Sequence, residues 1–106
     1  MLKFFYLRIM YLYNVSVIVE NSESQSVRAL LITQLQAAKG DGLTVRLLEL
    51  LDSPHEGVTY SLQLEALDSE AVASFQSKHV VALQAKTNQH HEGKVYYFDS
   101  LMQTIG

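Results

Sequence analysis

The sequence contains no cysteine, no tryptophan and a single proline. Without cysteine, the protein can form no disulfide bonds, thiolate metal ligands or thiol nucleophiles. Disulfide-free chains are more usual in reducing compartments than among small secreted domains, so we expect a cytoplasmic location. Any nucleophilic or acid–base chemistry would therefore depend on serine, threonine, histidine, tyrosine or carboxylate side chains.

Positive charge is also scarce. Lysine and arginine together number 8, against 11 aspartates and glutamates, which gives a net charge of -3 with neutral histidines. Such a chain has no basic field to hold a phosphate backbone, so we expect no nucleic-acid partner. A length of 106 residues with 48% hydrophobic content is typical of a single globular domain.

Long apolar runs are missing as well. The N-terminal MLKFFYLRIM is apolar, but its uninterrupted run from Phe4 to Leu7 is too short for a signal sequence, and the chain has nothing like the ~20 apolar residues of a membrane span. We expect no membrane association. Because the strand pattern begins directly after Met10, residues 1–9 are predicted to be an N-terminal extension of a domain over 10–106, and Met10 is a candidate natural start.

Two segments alternate with a period of two, as half-buried strands do. The first is 11–20, and the second is Val58–Glu65. One side of these strands is apolar: Val15, Val17, Val19, Tyr60, Leu62 and Leu64. The other side carries Asn14, Ser16, Ser61 and Gln63.

Two further segments have helical spacing of apolar residues. Helix one is predicted after Asn21–Ser26, with Ser22 or Ser24 as its cap, and ends near Lys39 before Gly40 and Gly42. Helix two is predicted after Asp68 or Ser69 and runs to about Asn88. Its apolar stripe is Val72, Phe75, His79 and Leu83, with Val80 beside it.

The remaining segments have weaker patterns. Leu43–Leu51 is too rich in leucine to separate strand from helix by periodicity, but its position between a glycine pair and a turn favours a hairpin with the strand that follows. Lys94–Phe98 is short and aromatic and is predicted to be strand four. The tail Asp99–Ile105 is predicted to form one short helical turn.

The resulting order, strand, helix, strand, strand, helix, strand, predicts the ferredoxin-like α+β fold. Right-handed crossovers would place both helices on one face of a four-stranded antiparallel sheet. The apolar sides of the strands would then lie beneath the helices. The polar side, with Asn14, Ser16, Ser61 and Gln63, would form the opposite face, where a function could reside.

Several segments together resemble a bacterial family of about a hundred residues whose domain has no known function. They are YNVSV at 13–17, RLL at 46–48, EGVTYSLQ at 56–63, His79 with Leu83, and GKV at 93–95 with Phe98. The resemblance covers roughly Met10 to Leu101. It implies a branch of the ferredoxin-like dimeric α+β barrels and no particular activity. Thr87 stands where the family commonly has a second histidine, and Asp99 stands where an arginine is usual.

Asn14, Ser16, Ser61 and Gln63 are the candidate ligand-binding residues, because four polar side chains on adjacent strands can make several hydrogen bonds to one ligand. The alternative is an ordinary solvated sheet face. His79 and Tyr60 are the candidate catalytic residues, although a histidine on an apolar stripe more often packs in the core.

The other histidines suggest no site. His90, His91 and Glu92 are adjacent, and neighbours on a helix diverge by about 100 degrees, so they are not predicted to chelate a metal. The two histidines are predicted to complement a helix C-terminus when protonated, and His55 is predicted to be solvated in a turn. We expect neither a metal ion nor a cofactor.

Three functions remain open. The first is a homodimeric binding module whose open sheet faces enclose a small polar cavity. The second is a cofactor-free enzyme of monooxygenase or isomerase type, with His79 or Tyr60 as acid or base and Asn14 and Gln63 orienting the substrate. The third is a structural partner of another protein that uses a strand edge or the segment 96–98 for sheet augmentation.

Overall fold

The structure, a computed structural model, describes residues 9–54 and 56–106. Four antiparallel strands form one sheet in the order β2-β3-β1-β4. They are β1 (Tyr11–Val19), β2 (Thr44–Leu50), β3 (Val58–Ala66) and β4 (Val95–Gln103). Helix α1 (Ser24–Gly40) joins β1 to β2, and a helical stretch from Ser69 to His90 joins β3 to β4. The ferredoxin-like fold predicted from the sequence is confirmed.

The second helical stretch has three parts. Helix α2 (Ser69–Phe75) continues into a π-helical segment (Gln76–Val80) and then into α3 (Val81–His90). Asp68 caps α2 as predicted, because its Oδ1 accepts a hydrogen bond from the Ala71 backbone N–H at 2.8 Å. The π-helical segment, which contains His79, had no signal in the apolar spacing.

The core lies between the sheet and the helices. Strand residues with alternating positions face inward and are fully buried, and the helices contribute a matching apolar stripe. The buried set includes Val15, Val17, Val19, Leu62 and Leu64 from the sheet, and Val27, Leu31, Phe75 and Leu83 from the helices. The predicted placement of the apolar sides of β1 and β3 beneath the helices is therefore correct.

Leucine-rich 43–51 forms β2, paired antiparallel with β3. The predicted hairpin is thus confirmed. Its register sets Arg46 opposite Gln63 and Leu48 opposite Ser61. Gly42, with φ 82, makes the left-handed turn between α1 and β2 that only glycine adopts readily.

The predicted helical turn over 99–105 is wrong. This segment continues β4, with Asp99 opposite Val15 and Leu101 opposite Tyr13. Strand β1 is nine residues long, and an unpaired half of it would leave backbone groups without partners, so the tail extends the ladder instead. The hydrogen bond from the Thr104 N–H to the Met10 carbonyl, at 2.9 Å, extends this contact.

The predicted cap of helix one is also wrong. A short 3-10 turn (Asn21–Glu23) leads directly into α1, and Ser24 Oγ donates to the Asn21 carbonyl at 3.0 Å instead of accepting from a helix N–H. The extension predicted over 1–9 and the solvated turn predicted at His55 fall mainly on positions outside the described residues.

Candidate functional site

The site begins with the register of the two central strands. Asn14 lies opposite Gln63, and Ser16 lies opposite Ser61. Directly opposed residues of an antiparallel pair point to the same face. All four predicted ligand-binding side chains therefore lie together on the face of the sheet that the helices do not cover, called here the open face.

Hydrogen bonds join these four side chains into one network. Asn14 Oδ1 accepts from Ser61 Oγ and, at 3.4 Å, from Gln63 Nε2. Asn14 Nδ2 donates to Ser16 Oγ at 3.1 Å, and Gln63 Nε2 also donates to Ser61 Oγ at 3.2 Å. Each side chain limits the rotation of its neighbours, so the set is organised in advance of any ligand.

Arg46 belongs to the same network and was not among the predicted site residues. Its Nε donates to Gln63 Oε1 at 3.0 Å. A guanidinium group has five N–H donors, and this bond uses one of them. The sequence did hold a signal, since Arg46 is the single charged residue between Thr44 and Leu48 of a leucine-rich strand.

A shallow cleft of about 270 Å³ adjoins the network. It is lined by Thr44, Val45, Arg46, Gln63 and Glu65. The cleft thus places one cation, one amide and one carboxylate around the same small volume.

Large apolar side chains surround the polar centre of the open face. The register places them beside it on both flanks, from β2 and from β4. They are substantially exposed: Leu48 (42%), Leu50 (48%), Tyr96 (54%), Phe98 (63%) and Met102 (43%). Large exposed apolar side chains gathered on one face of a small domain mark an interaction surface.

His79 lies on the other side of the sheet, buried between the helices. Its Nδ1 is 2.8 Å from Gln34 Nε2, and its Nε2 is 2.7 Å from Asp41 Oδ2. Lys86 donates to Gln34 Oε1 at 3.4 Å, which directs the amide nitrogen of Gln34 to the histidine. The arrangement suits the Nε2–H tautomer, in which Nδ1 accepts from Gln34 and Nε2 donates to Asp41. His79 thus links the two helical stretches and does not contact the polar network of the open face.

Tyr60 is also beneath the helices and does not join the open-face network. Its hydroxyl donates to the Ser24 carbonyl at 3.4 Å. Burial raises its pKa, the charge of Glu49 adds to this, and Arg28 opposes it. Tyr60 lines a second cleft, of about 230 Å³, with Ile32, Leu35 and Leu47 among its neighbours.

Among the residues that the structure describes, no cluster of three or more histidine, cysteine or acidic side chains could hold a metal ion. His91 packs against the start of α1, where its ring contacts Glu23 and Ser26.

Within 9–54 and 56–106, no helix is long and apolar enough to cross a membrane.

Fold and open face together define the chain as a ferredoxin-like α+β protein with a two-sided sheet. It belongs to the family described as Domain of unknown function (DUF4286), whose model matches residues 10–105. No curated protein matches the chain. The family membership expected from the sequence segments is thereby confirmed, and it supplies no activity.

Solved structures with the same fold have very different sequences. A conserved protein of unknown function from Bacteroides thetaiotaomicron has a TM-score of 0.69 at 12% identity, over 92% of this chain and 99% of that one. A candidate antibiotic biosynthesis monooxygenase from Caulobacter crescentus has a TM-score of 0.69 at 12% identity, over 98% of this chain and 97% of that one.

A third similar structure, the de novo designed protein Foldit4, has a TM-score of 0.55 at 13% identity, over 92% of this chain and 98% of that one. A designed protein and a candidate enzyme thus share one backbone arrangement. These likenesses establish the fold alone, and a function has to be argued from the side chains.

Proposed function

We propose that this protein is a homodimeric binding module in which the open faces of two copies meet and enclose a small polar ligand. The observation that carries the proposal is the composition of the open face. A hydrogen-bonded polar centre with one arginine is bordered by large exposed apolar side chains. The border would bury against the second copy, and the centre would face the ligand.

The apolar border supports a protein occupant of the face. Leu48 and Leu50 lie on one flank, and Tyr96, Phe98 and Met102 lie on the other. A domain of this size buries a modest share of its surface, so an uncovered sheet face is a large part of its remaining apolar area. Burial of apolar area stabilises association by roughly 25 cal/mol per Å² before the costs of binding are subtracted.

Charge supports a second copy as that occupant. The cleft on the open face carries one cation, Arg46, and one anion, Glu65, two residues apart in register. A two-fold axis brings the same patch of both copies together, so each arginine could face the carboxylate of the other copy. A face of a single charge sign would repel its copy.

The polar centre supports a small ligand with an anionic group. Asn14, Gln63 and the two serines offer amide and hydroxyl groups, and Arg46 offers a guanidinium that pairs well with a carboxylate. Because these side chains are already hydrogen-bonded to one another, little entropy would be lost when a ligand binds.

The dimer is tested by light scattering after size-exclusion chromatography at micromolar concentration. We expect a dimer for the unaltered protein and a monomer for Phe98→Glu, which places a charge in the apolar border. Val81→Glu is the matched control, since Val81 is 57% exposed on the helical side, and it should leave the dimer intact. A monomeric unaltered protein would refute the enclosed-cavity proposal.

The ligand is tested by thermal shift against a library of small carboxylates. A ligand selective for the folded state stabilises it by about 2.7 kcal/mol at a hundredfold excess over Kd, and raises the melting temperature accordingly. Arg46→Gln should abolish the shift, whereas Lys39→Gln, which alters an exposed cation on α1, should preserve it. A dimer that no carboxylate stabilises would indicate a dry interface.

A second candidate is a cofactor-free enzyme of monooxygenase or isomerase type. One observation favours it: Tyr60, a predicted catalytic residue, lines the 230 Å³ cleft with Arg28 and Glu49 beside it. A buried phenol near a charged pair can act as a general acid. Turnover of a quinol or phenol substrate that is lost in Tyr60→Phe without loss of stability would support this function over the first.

A further inference from the structure

A serine, a histidine and a glutamate form a connected series where α1 begins and α3 ends. Ser26 Oγ is 3.1 Å from His91 Nε2, and His91 Nδ1 is 3.0 Å from Glu23 Oε1. These are the contacts that join a nucleophile to its base and the base to the group that orients it. Sequence spacing could not reveal them, because 65 residues separate Ser26 from His91.

The fold holds the histidine firmly and leaves the serine accessible. His91 is 7% exposed, and its backbone N–H donates to the Thr87 carbonyl at 2.7 Å as the helix ends. Ser26 lies in the first turn of α1 and is exposed to solvent. A buried base beside an exposed hydroxyl is the arrangement that attack on an external molecule requires.

The hydrogen bonds also select one tautomer of His91. A carboxylate accepts and cannot donate, so Glu23 accepts a hydrogen bond from Nδ1–H of His91, and the unprotonated Nε2 accepts a hydrogen bond from the Ser26 hydroxyl. The hydrogen bond from His91 holds the pKa of the Glu23 carboxyl below its ordinary value, and the charge of Lys94 lowers it further. Glu23 therefore stays ionised at neutral pH and keeps the imidazole in place.

We propose that Ser26, His91 and Glu23 form a nucleophilic site that accepts acyl groups from activated esters. Ser26 Oγ forms a bond to the carbonyl carbon while its proton passes to His91 Nε2. The bond to the leaving oxygen then breaks, and His91 returns the proton to that oxygen. Water, activated by the same nitrogen, hydrolyses the acyl-serine and regenerates the hydroxyl.

This site is separate from the open face. Ser26 and His91 belong to the helical layer, whereas the polar network and its apolar border lie on the opposite side of the sheet. A dimer formed through the open faces would leave Ser26 accessible. The acyl-transfer proposal is therefore independent of the proposed dimer and of its ligand.

The first test uses a fluorophosphonate probe on the full chain. Ser26 Oγ should bond to phosphorus as fluoride leaves, and peptide mass spectrometry should locate the adduct on Ser26. Ser26→Ala should lose this adduct, and His91→Gln should reduce its rate at least about tenfold, in line with the contribution of a positioned base. Ser74→Ala, which alters another exposed helical serine, should label like the unaltered protein.

The second test measures hydrolysis of p-nitrophenyl acetate, with an acetyl group on Ser26 as the intermediate. Ser26→Ala should lower the rate at least about tenfold, while His90→Gln, a change to the exposed neighbouring histidine, should leave it unchanged. Equal rates in Ser26→Ala and the unaltered protein, or probe adducts on residues other than Ser26, would overturn the proposal. Circular dichroism confirms that each variant is folded.

Discussion

Asp41 Oδ2 accepts a hydrogen bond from the buried imidazole of His79, with 2.7 Å between oxygen and nitrogen, and so ties the end of α1 to the middle of the second helical stretch. Lys78 binds the same carboxylate oxygen from outside, at 2.9 Å. His79 also stacks at a tilt on Phe75, with 5.8 Å between ring centroids. The predicted catalytic histidine thus has the surroundings of a packing residue.

Replacement of His79 should therefore cost stability. His79→Ala removes a buried ring and leaves Gln34 without one partner, so we expect the free energy of unfolding to fall by about 2 kcal/mol. His90→Ala is the matched control, because His90 is exposed, and it should change stability by no more than about 0.5 kcal/mol. Urea denaturation measures both, and an unchanged midpoint for His79→Ala would contradict the packing role.

Acid should destabilise the protein through two carboxyl groups. Hydrogen bonds from Lys78 and His79 lower the pKa of Asp41, and a hydrogen bond from His91 lowers the pKa of Glu23. A lowered pKa means that the folded state binds fewer protons than the unfolded state. The stability that these carboxylates contribute is therefore fully present above their ordinary pKa values, 3.8 for Asp41 and 4.5 for Glu23. It is lost as the pH falls through the pKa values of the folded state.

The measurement is the urea midpoint as a function of pH below about 4.5. The unaltered protein should lose stability steadily through this range, and Asp41→Asn with Glu23→Gln should flatten the dependence. If the doubly altered protein keeps the full slope, other groups account for acid unfolding.

Gly57 should be intolerant of a side chain. Its φ is +90, and a Cβ built there would lie 2.2 Å from the Val19 carbonyl oxygen. Gly93 has a similar φ of +77 but has open space around it. Gly93→Ala should thus cost only the left-handed backbone, about 1–2 kcal/mol, and Gly57→Ala should cost more. Thermal unfolding of the two variants distinguishes the steric clash at Gly57 from the backbone strain common to both positions. Equal losses of stability in Gly57→Ala and Gly93→Ala would exclude the clash.

Tyrosine ionisation should occur in two phases at alkaline pH. Burial raises the pKa of Tyr13, Tyr60 and Tyr97 above the ordinary value of 10.0. A buried tyrosine with a raised pKa contributes stability to the folded state that is fully present below pH 10.0, the ordinary pKa of the phenol. This stability is lost as the pH rises through the pKa of the folded state. Tyrosinate absorbance should therefore show a late phase, which Tyr97→Phe diminishes. A single phase at the ordinary pKa would contradict this prediction.

The sequence predicted the fold because its main signals are local. Side-chain periodicity is visible in the sequence itself. It appears as alternation over 11–20 and 58–65, and as helical spacing of Val72, Phe75 and Leu83. The same alternation assigned Asn14, Ser16, Ser61 and Gln63 to one face. Where a local pattern was mixed, as over 99–105, strand pairing with distant β1 decided the structure.

Contacts between distant segments could be found only in the tertiary structure. The bond between Arg46 and Gln63 depends on the register of the hairpin. The two partners of His79 come from α1 and from the residue that follows it, and Ser26 contacts His91 although 65 residues separate them. Amino-acid order determined which side chains each element presents to solvent or core. Packing of the helices on the sheet determined which side chains are in contact with one another. Loop closure brings together residues that are far apart in sequence, so their positions in the chain do not reveal these contacts.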